Sequence, residues 1–143
     1  MNKDGIIIVI EENKENRLLF ENIFYELKLR NLVHFFNTFE EARRYTLYEK
    51  LKPFLFFSNI LQFADSNLQD DENKSFFEKL NCPFLFFSLV FEQCFLIDTF
   101  STPKQSYFSS PYTEEKFKEF VSAVVKYWQL KEEKERKKII AHY

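Results

Sequence analysis

Glycine is almost missing from this sequence: among 143 residues only Gly5 occurs. A dinucleotide or flavin site after the first strand would need a Gly- or Ser/Thr-rich phosphate loop. Glu11-Glu12 stand there instead and would repel phosphates, so no such cofactor is expected. Cysteine is equally scarce. Cys82 and Cys94 are the only two, and neither belongs to a C-x-x-C pair. A disulfide framework is thereby excluded, a reducing compartment is favoured, and the cytoplasm is the expected location. His34 falls in a predicted strand and His142 near the end of the chain, so no His-based dyad or metal cluster is visible. Charge of one sign is also lacking, since 20 Lys and Arg face 22 Asp and Glu for a net −2. Without a basic field, nucleic acid is not an expected partner. Long apolar runs are absent too. The five residues after Gly5 are too few for a signal-peptide core, and the stretch 83–97 is interrupted by Glu92 and Gln93. No membrane association is expected.

What is present is phenylalanine: 20 Phe, with 7 Tyr. Two readings are open. Phe stands where other chains use Leu or Val, or some of it forms aromatic anchors on a binding surface. The hydrophobic share of 45% and charged share of 29% are those of a globular domain. The length suits one domain over 1–130, with 131–143 as a charged helical extension.

Ile6-Ile7-Ile8-Val9-Ile10 is a continuous β-branched run, the pattern of a strand buried on both faces of a parallel sheet. Polarity switches at Glu11-Glu12-Asn13. Leu18, Leu19, Phe20, Ile23, Phe24 and Leu27 then recur at helical spacing, predicting a helix that ends near Asn31. A second strand is predicted over 32–36. Thr38 with Glu41 forms a capping box for a second helix. Strands are predicted over 54–58 and 84–88, within identical hexapeptides Pro-Phe-Leu-Phe-Phe-Ser at 53–58 and 83–88, and a short helix over 74–80 lies between them. The segment 91–100 reads as a short helix or as a fragment of strand. A last strand contains Tyr107-Phe108. Thr113 caps a final helix whose Phe117, Phe120, Val121, Val124, Val125 and Trp128 share one face. Alternating strands and helices predict a doubly wound α/β domain. In such sheets the functional residues follow the carboxyl ends of the strands, here Glu11, Glu12, Ser58, Asn59, Ser88 and Ser110.

On those residues the chain resembles the receiver domain of two-component response regulators, over roughly 5–130. The acidic pair Glu11-Glu12 follows strand one, Pro53 leads into strand three and Asn59-Ile60, Ser88 closes strand four, and Tyr107 stands three residues before Ser110-Pro111. The resemblance implies a flavodoxin-like sheet of five parallel strands in the order 2-1-3-4-5 with helices on both faces. It also implies that Asn59 occupies the phosphoacceptor Asp position and Ser110 the Lys position.

An acyl phosphate requires a carboxylate nucleophile, a metal and a neutralising cation. Asn59 carries an amide, and Ser110 has no charge. A register slip of one would substitute Ser58, which is no carboxylate either; Asp65 is the first one downstream. Glu11 and Glu12 are either two solvated carboxylates or a weak Mg²⁺ site. The expectation is therefore a non-enzymatic pseudo-receiver without cofactor. It would act through a homodimer or a signalling partner on the face of helix 4, strand 5 and helix 5, with Tyr107, Phe108 and Trp128 as anchors. Two alternatives stand beside it: a working receiver with another acceptor, and a small flavodoxin-like enzyme or cofactor binder. With no further domain after the last helix, direct action on DNA is not expected.

Overall fold

Six strands and four helices alternate through most of the chain in the computed structural model, which describes residues 2–63, 71–90, 93–99 and 105–141. Strand β1 (Ile7–Ile10) leads to α1 (Lys14–Glu26), β2 (Val33–Phe36) to α2 (Phe39–Tyr48), and β3 (Leu55–Asn59) to a 3₁₀ turn (Ile60–Phe63). Helix α3 (Asp71–Leu80) precedes β4 (Phe84–Val90). Strands β5 (Gln93–Asp98) and β6 (Gln105–Ser109) follow, and α4 (Glu114–Ala141) ends the order. That last helix passes residue 130 without a break.

The sheet corrects the expected fold. It has six strands in the order β2-β1-β3-β4-β5-β6, not five in the order 2-1-3-4-5, and it is mixed, not parallel. Strands β2, β1, β3 and β4 are parallel. β5 pairs antiparallel with β4, and β6 antiparallel with β5. The segment 91–100, read as helix or strand, therefore contributes a strand. Among the described residues, no helix stands between β4 and β6. Antiparallel neighbours can follow one another closely in the chain, as β4 and β5 do, whereas a parallel neighbour would have needed a crossover.

Sequence chemistry explains the individual elements. The side chain of Asn13 caps α1 by accepting from the Asn16 N–H at 3.0 Å. Thr38 caps α2, its Oγ1 accepting from the Glu41 N–H at 3.2 Å, while Glu41 Oε2 accepts from the Asn37 N–H. Thr113 caps α4 through the Lys116 N–H. The helices end without glycine. Lys28 after α1, Lys50 after α2 and Asn81 after α3 adopt left-handed backbone angles, with φ of 57°, 51° and 47°. After α1 the Leu29 N–H donates to the Phe24 carbonyl and the Lys28 N–H to that of Tyr25. α2 closes in the same paired way on Thr46 and Leu47. Helix α1 consequently stops at Glu26, several residues before the expected Asn31.

Gly5 has a different role. A Cβ there would lie 2.5 Å from the Lys52 carbonyl oxygen, so only glycine lets the chain approach the loop before β3.

Two cores flank the sheet. α1 and α4 cover one face, where Phe20 sits among Phe24, Phe57, Phe87 and Phe117 with ring centroids 4.9–5.8 Å apart. α2 and α3 cover the other, where Phe39, Phe56, Phe76, Phe77 and Phe84 interlock. The repeated hexapeptides lie side by side with a two-residue stagger: Phe56 pairs with Phe84 and stacks on it at 4.6 Å. An even stagger keeps each Phe on its own face. Most of the phenylalanine is thus core. Phe108, 63% exposed, is the large exception among the described residues.

Candidate functional site

Strands β1 and β3 are neighbours, so the residues that follow Ile10 and Ser58 in the chain meet at one end of the sheet. Glu11 and Glu12 do not act as a pair there. Side chains at the end of a strand alternate in direction. Glu11 is 2% exposed, while Glu12 faces solvent. Asn59, also buried, donates its amide N–H to Glu11 Oε2 at 2.7 Å. The other carboxylate oxygen accepts from the Asn13 N–H at 3.1 Å. The Asn59 amide oxygen accepts from the Leu61 N–H at 3.0 Å and so starts the 3₁₀ turn. Each polar side-chain atom of the two residues has a hydrogen-bond partner inside the protein.

Sequence reasoning overlooked Arg17 in this arrangement. Its guanidinium donates to the Glu11 carbonyl and to the Asn37 side chain, joining the ends of β1 and β2. It also lies 5.6 Å from the Phe35 ring centroid. Its signal was faint, one basic residue on a helix otherwise read for its apolar face.

This arrangement does not fit a magnesium ion. Mg²⁺ asks for several oxygen ligands in octahedral geometry. Here one buried carboxylate has both oxygens engaged by N–H donors, one of them the Asn59 amide. Among the described residues no three His, Cys, Asp or Glu side chains come together to hold a metal. Phosphoryl attack fares no better, because the group facing Glu11 is an amide donor and not a carboxylate nucleophile. Asp65, the next carboxylate considered, lies outside the described residues.

The other expected pocket residues separate. Ser88 does not close β4: it is buried within the strand, which continues to Val90, and it pairs with Phe95. Ser110 and Pro111, joined by a cis peptide bond, are exposed after β6. With about 4.8 Å per strand, the intervening β5 puts β6 about 14 Å from β3. Ser58 is buried, and its hydroxyl donates to the Asn59 carbonyl at 3.2 Å. The structure therefore brings together Glu11 and Asn59, keeps Ser88 one strand away, and leaves Ser110 and Pro111 apart.

The anchor residues divide as well. Trp128 is 1% exposed and belongs to the core. Its indole N–H donates to Asp98 Oδ2 at 2.7 Å, and Asp98 is wholly buried. That carboxylate was missed in the sequence, where Leu96-Ile97-Asp98 gave no sign of a partner. Tyr107 is half-buried, stacked on Phe120 at 5.4 Å, with its hydroxyl donating to Gln105 Oε1. Burial and the nearby Asp98 charge push its hydroxyl above the ordinary tyrosine range. Burial likewise raises the thiols of Cys82 and Cys94, which keeps them protonated and inert.

Only Phe108 is offered outward, and it is not isolated. On the side of the sheet away from α4, cross-strand neighbours place Phe86 beside Ile97 and Phe95 beside Phe108. Val90, 46% exposed, continues this patch at the end of β4. Phe86, Phe95 and Ile97 are partly exposed.

The fold and these contacts define a three-layer α/β domain with a sealed polar pair at the sheet end and an apolar strip on its antiparallel edge. Comparison with protein-family models, with curated proteins and with solved structures finds no match to this chain. Among the described residues, no helix is long and apolar enough to cross a membrane.

Proposed function

We propose that the chain is a signal-transduction module of receiver type that has lost phosphoryl transfer and works by protein–protein interaction. The observation that carries this reading is the Asn59–Glu11 hydrogen bond. Where the resemblance implies a phosphoacceptor carboxylate, this residue is an amide that donates a charge-assisted hydrogen bond to the one buried carboxylate. The order β2-β1-β3-β4, with helices on both faces, supports the receiver relationship in the first half of the chain. The second half departs from it, because β5 takes the place of a helix. The strip from Phe86 to Phe108 is the interaction surface in this reading, with a signalling protein or a second copy as its partner. Two unpaired cysteines suit a reducing compartment, and the cytoplasm is the proposed location.

Intact-mass measurement after incubation with acetyl phosphate and Mg²⁺ tests the chemical half. The expected result is an unchanged mass. A stoichiometric, base-labile phosphoryl adduct would overturn the proposal. Sedimentation of the wild type and of Phe108→Asp, alone and with proteins co-purified from the native cell, tests the other half. Association that Phe108→Asp abolishes is expected; a strict monomer that captures nothing through this strip counts against an interaction role.

A further inference from the structure

The opposite end of the sheet carries a different feature. Two neighbouring cavities of about 360 and 340 Å³ lie at the amino-terminal ends of the parallel strands and share Lys52, Lys79 and Leu80 on their walls. Asn2, Pro53 and Asn81 complete one; Lys50, Leu47, Leu51 and Phe76 line the other, with Thr46. The three lysines come from separate places. Lys50 is the left-handed residue that ends α2, Lys52 lies on the loop into β3, and Lys79 is in the last turn of α3. Among the described residues, no carboxylate lines either cavity. None of the three lysines is ion-paired with a described residue.

Helix dipoles explain part of this. The carboxyl ends of α2 and α3 each favour a cation, which accounts for Lys50 and Lys79. They do not account for Lys52, nor for concave walls, since a dipole needs no cavity to be compensated. Three like charges around one space repel one another, and among the described residues no carboxylate is paired with any of them. Leu47, Leu51, Phe76 and Leu80 supply an apolar side to the same space.

We propose that this groove binds a small organic anion bearing a phosphate monoester on an apolar or aromatic body. A monoester carries about −1.5 to −2 charges at neutral pH, a better match to three lysines than a single carboxylate. Compact ammonium groups suit phosphate oxygens as point charges. The cavities fall within the range of small-molecule sites, and the apolar wall takes the body of the ligand. This site lies at the far end of the sheet from Asn59, and the inference does not rest on the interaction reading.

Calorimetric titration of the full chain with phenyl phosphate, inorganic phosphate and phenol tests it. Phenyl phosphate is expected to bind saturably and to weaken with added salt, inorganic phosphate to bind less tightly, and phenol not to bind. Lys52→Gln and Lys79→Gln, each confirmed folded by thermal melting, are expected to lose about tenfold or more in affinity. Lys52→Arg, which keeps the charge, is expected to retain binding, and Lys116→Gln on α4 to leave it unchanged. No saturable binding of phenyl phosphate would overturn the proposal. So would unchanged affinity in both Gln variants, an equal loss in Lys116→Gln, or phenol binding as tightly as its phosphate.

Discussion

The two halves of the sheet differ in how they are covered. β1 and β3 lie between helices on both sides, and every residue of each strand is buried. Among the described residues, β5 and β6 have α4 on one side only, and their burial alternates along the chain. Cys94, Leu96 and Asp98 turn toward α4, while Phe95 and Ile97 turn the other way. The comparison shows where apolar side chains serve folding and where they are left for something else. A Phe in β3 has no alternative to the core. Phe95 and Phe108 pair across strands and yet keep one face open to solvent.

The largest test of that contrast sets Phe56→Ala against Phe108→Ala. Phe56 is wholly buried between Phe39, Phe76 and Phe84. Its truncation is expected to cost about 3–5 kcal/mol in denaturant unfolding. The same change at Phe108 is expected to stay within about 0.5 kcal/mol, because it removes no core contact. If the two losses were similar, the open face would have to be part of the folding core.

Asn59→Asp probes the parallel half at its sealed end. It would set a second carboxylate against buried Glu11 at hydrogen-bond distance, where both cannot be ionised at once. The expected loss is about 3 kcal/mol at neutral pH. The sign with pH follows. The variant must keep a proton that its unfolded chain releases, so its stability deficit is small in acid and grows as pH rises to neutrality. Urea midpoints at several pH values for wild type and variant measure this. A deficit independent of pH would show that Asn59 does not neutralise Glu11.

Trp128→Phe addresses the antiparallel half. It removes the indole N–H that reaches Asp98, and a cost of about 1–3 kcal/mol is expected in thermal unfolding. A neutral result would mean that the bond to Asp98 does not hold α4 on β5.

The smallest effect concerns the helix ends. Replacing Lys28 by glycine relieves a left-handed backbone at a side chain that makes no use of it, and a gain of about 0.5–1 kcal/mol is expected. Lys50→Gly should gain similarly. It should also weaken the proposed anion site, which separates the two roles of that lysine.

How much of this was legible before folding depends on the half. Ile7 to Ile10 could be read as a doubly buried strand because its apolar run has no polar interruption, and Asn59 could be read as an amide where the resemblance implies a carboxylate. Residues 91–100 could not be read in the same way. An apolar run of that length suits a short helix or a strand, and the choice was settled by pairing with β4, a contact no local pattern encodes. The error in strand order followed from it, as did the distance of Ser110 from the sealed pair.

By itself the sequence determined the local elements: continuous β-branched and aromatic runs mark the buried strands, and Thr38 and Thr113 mark helix starts, while core and surface roles for the 20 Phe stayed open. It also determined that no carboxylate stands at Asn59. Only the tertiary structure decided that Glu11 turns in and Glu12 out, that Trp128 meets Asp98, and that Lys50, Lys52 and Lys79 surround one groove. Those are matters of register and approach between elements distant in the chain, and they exist only once the sheet has chosen its neighbours.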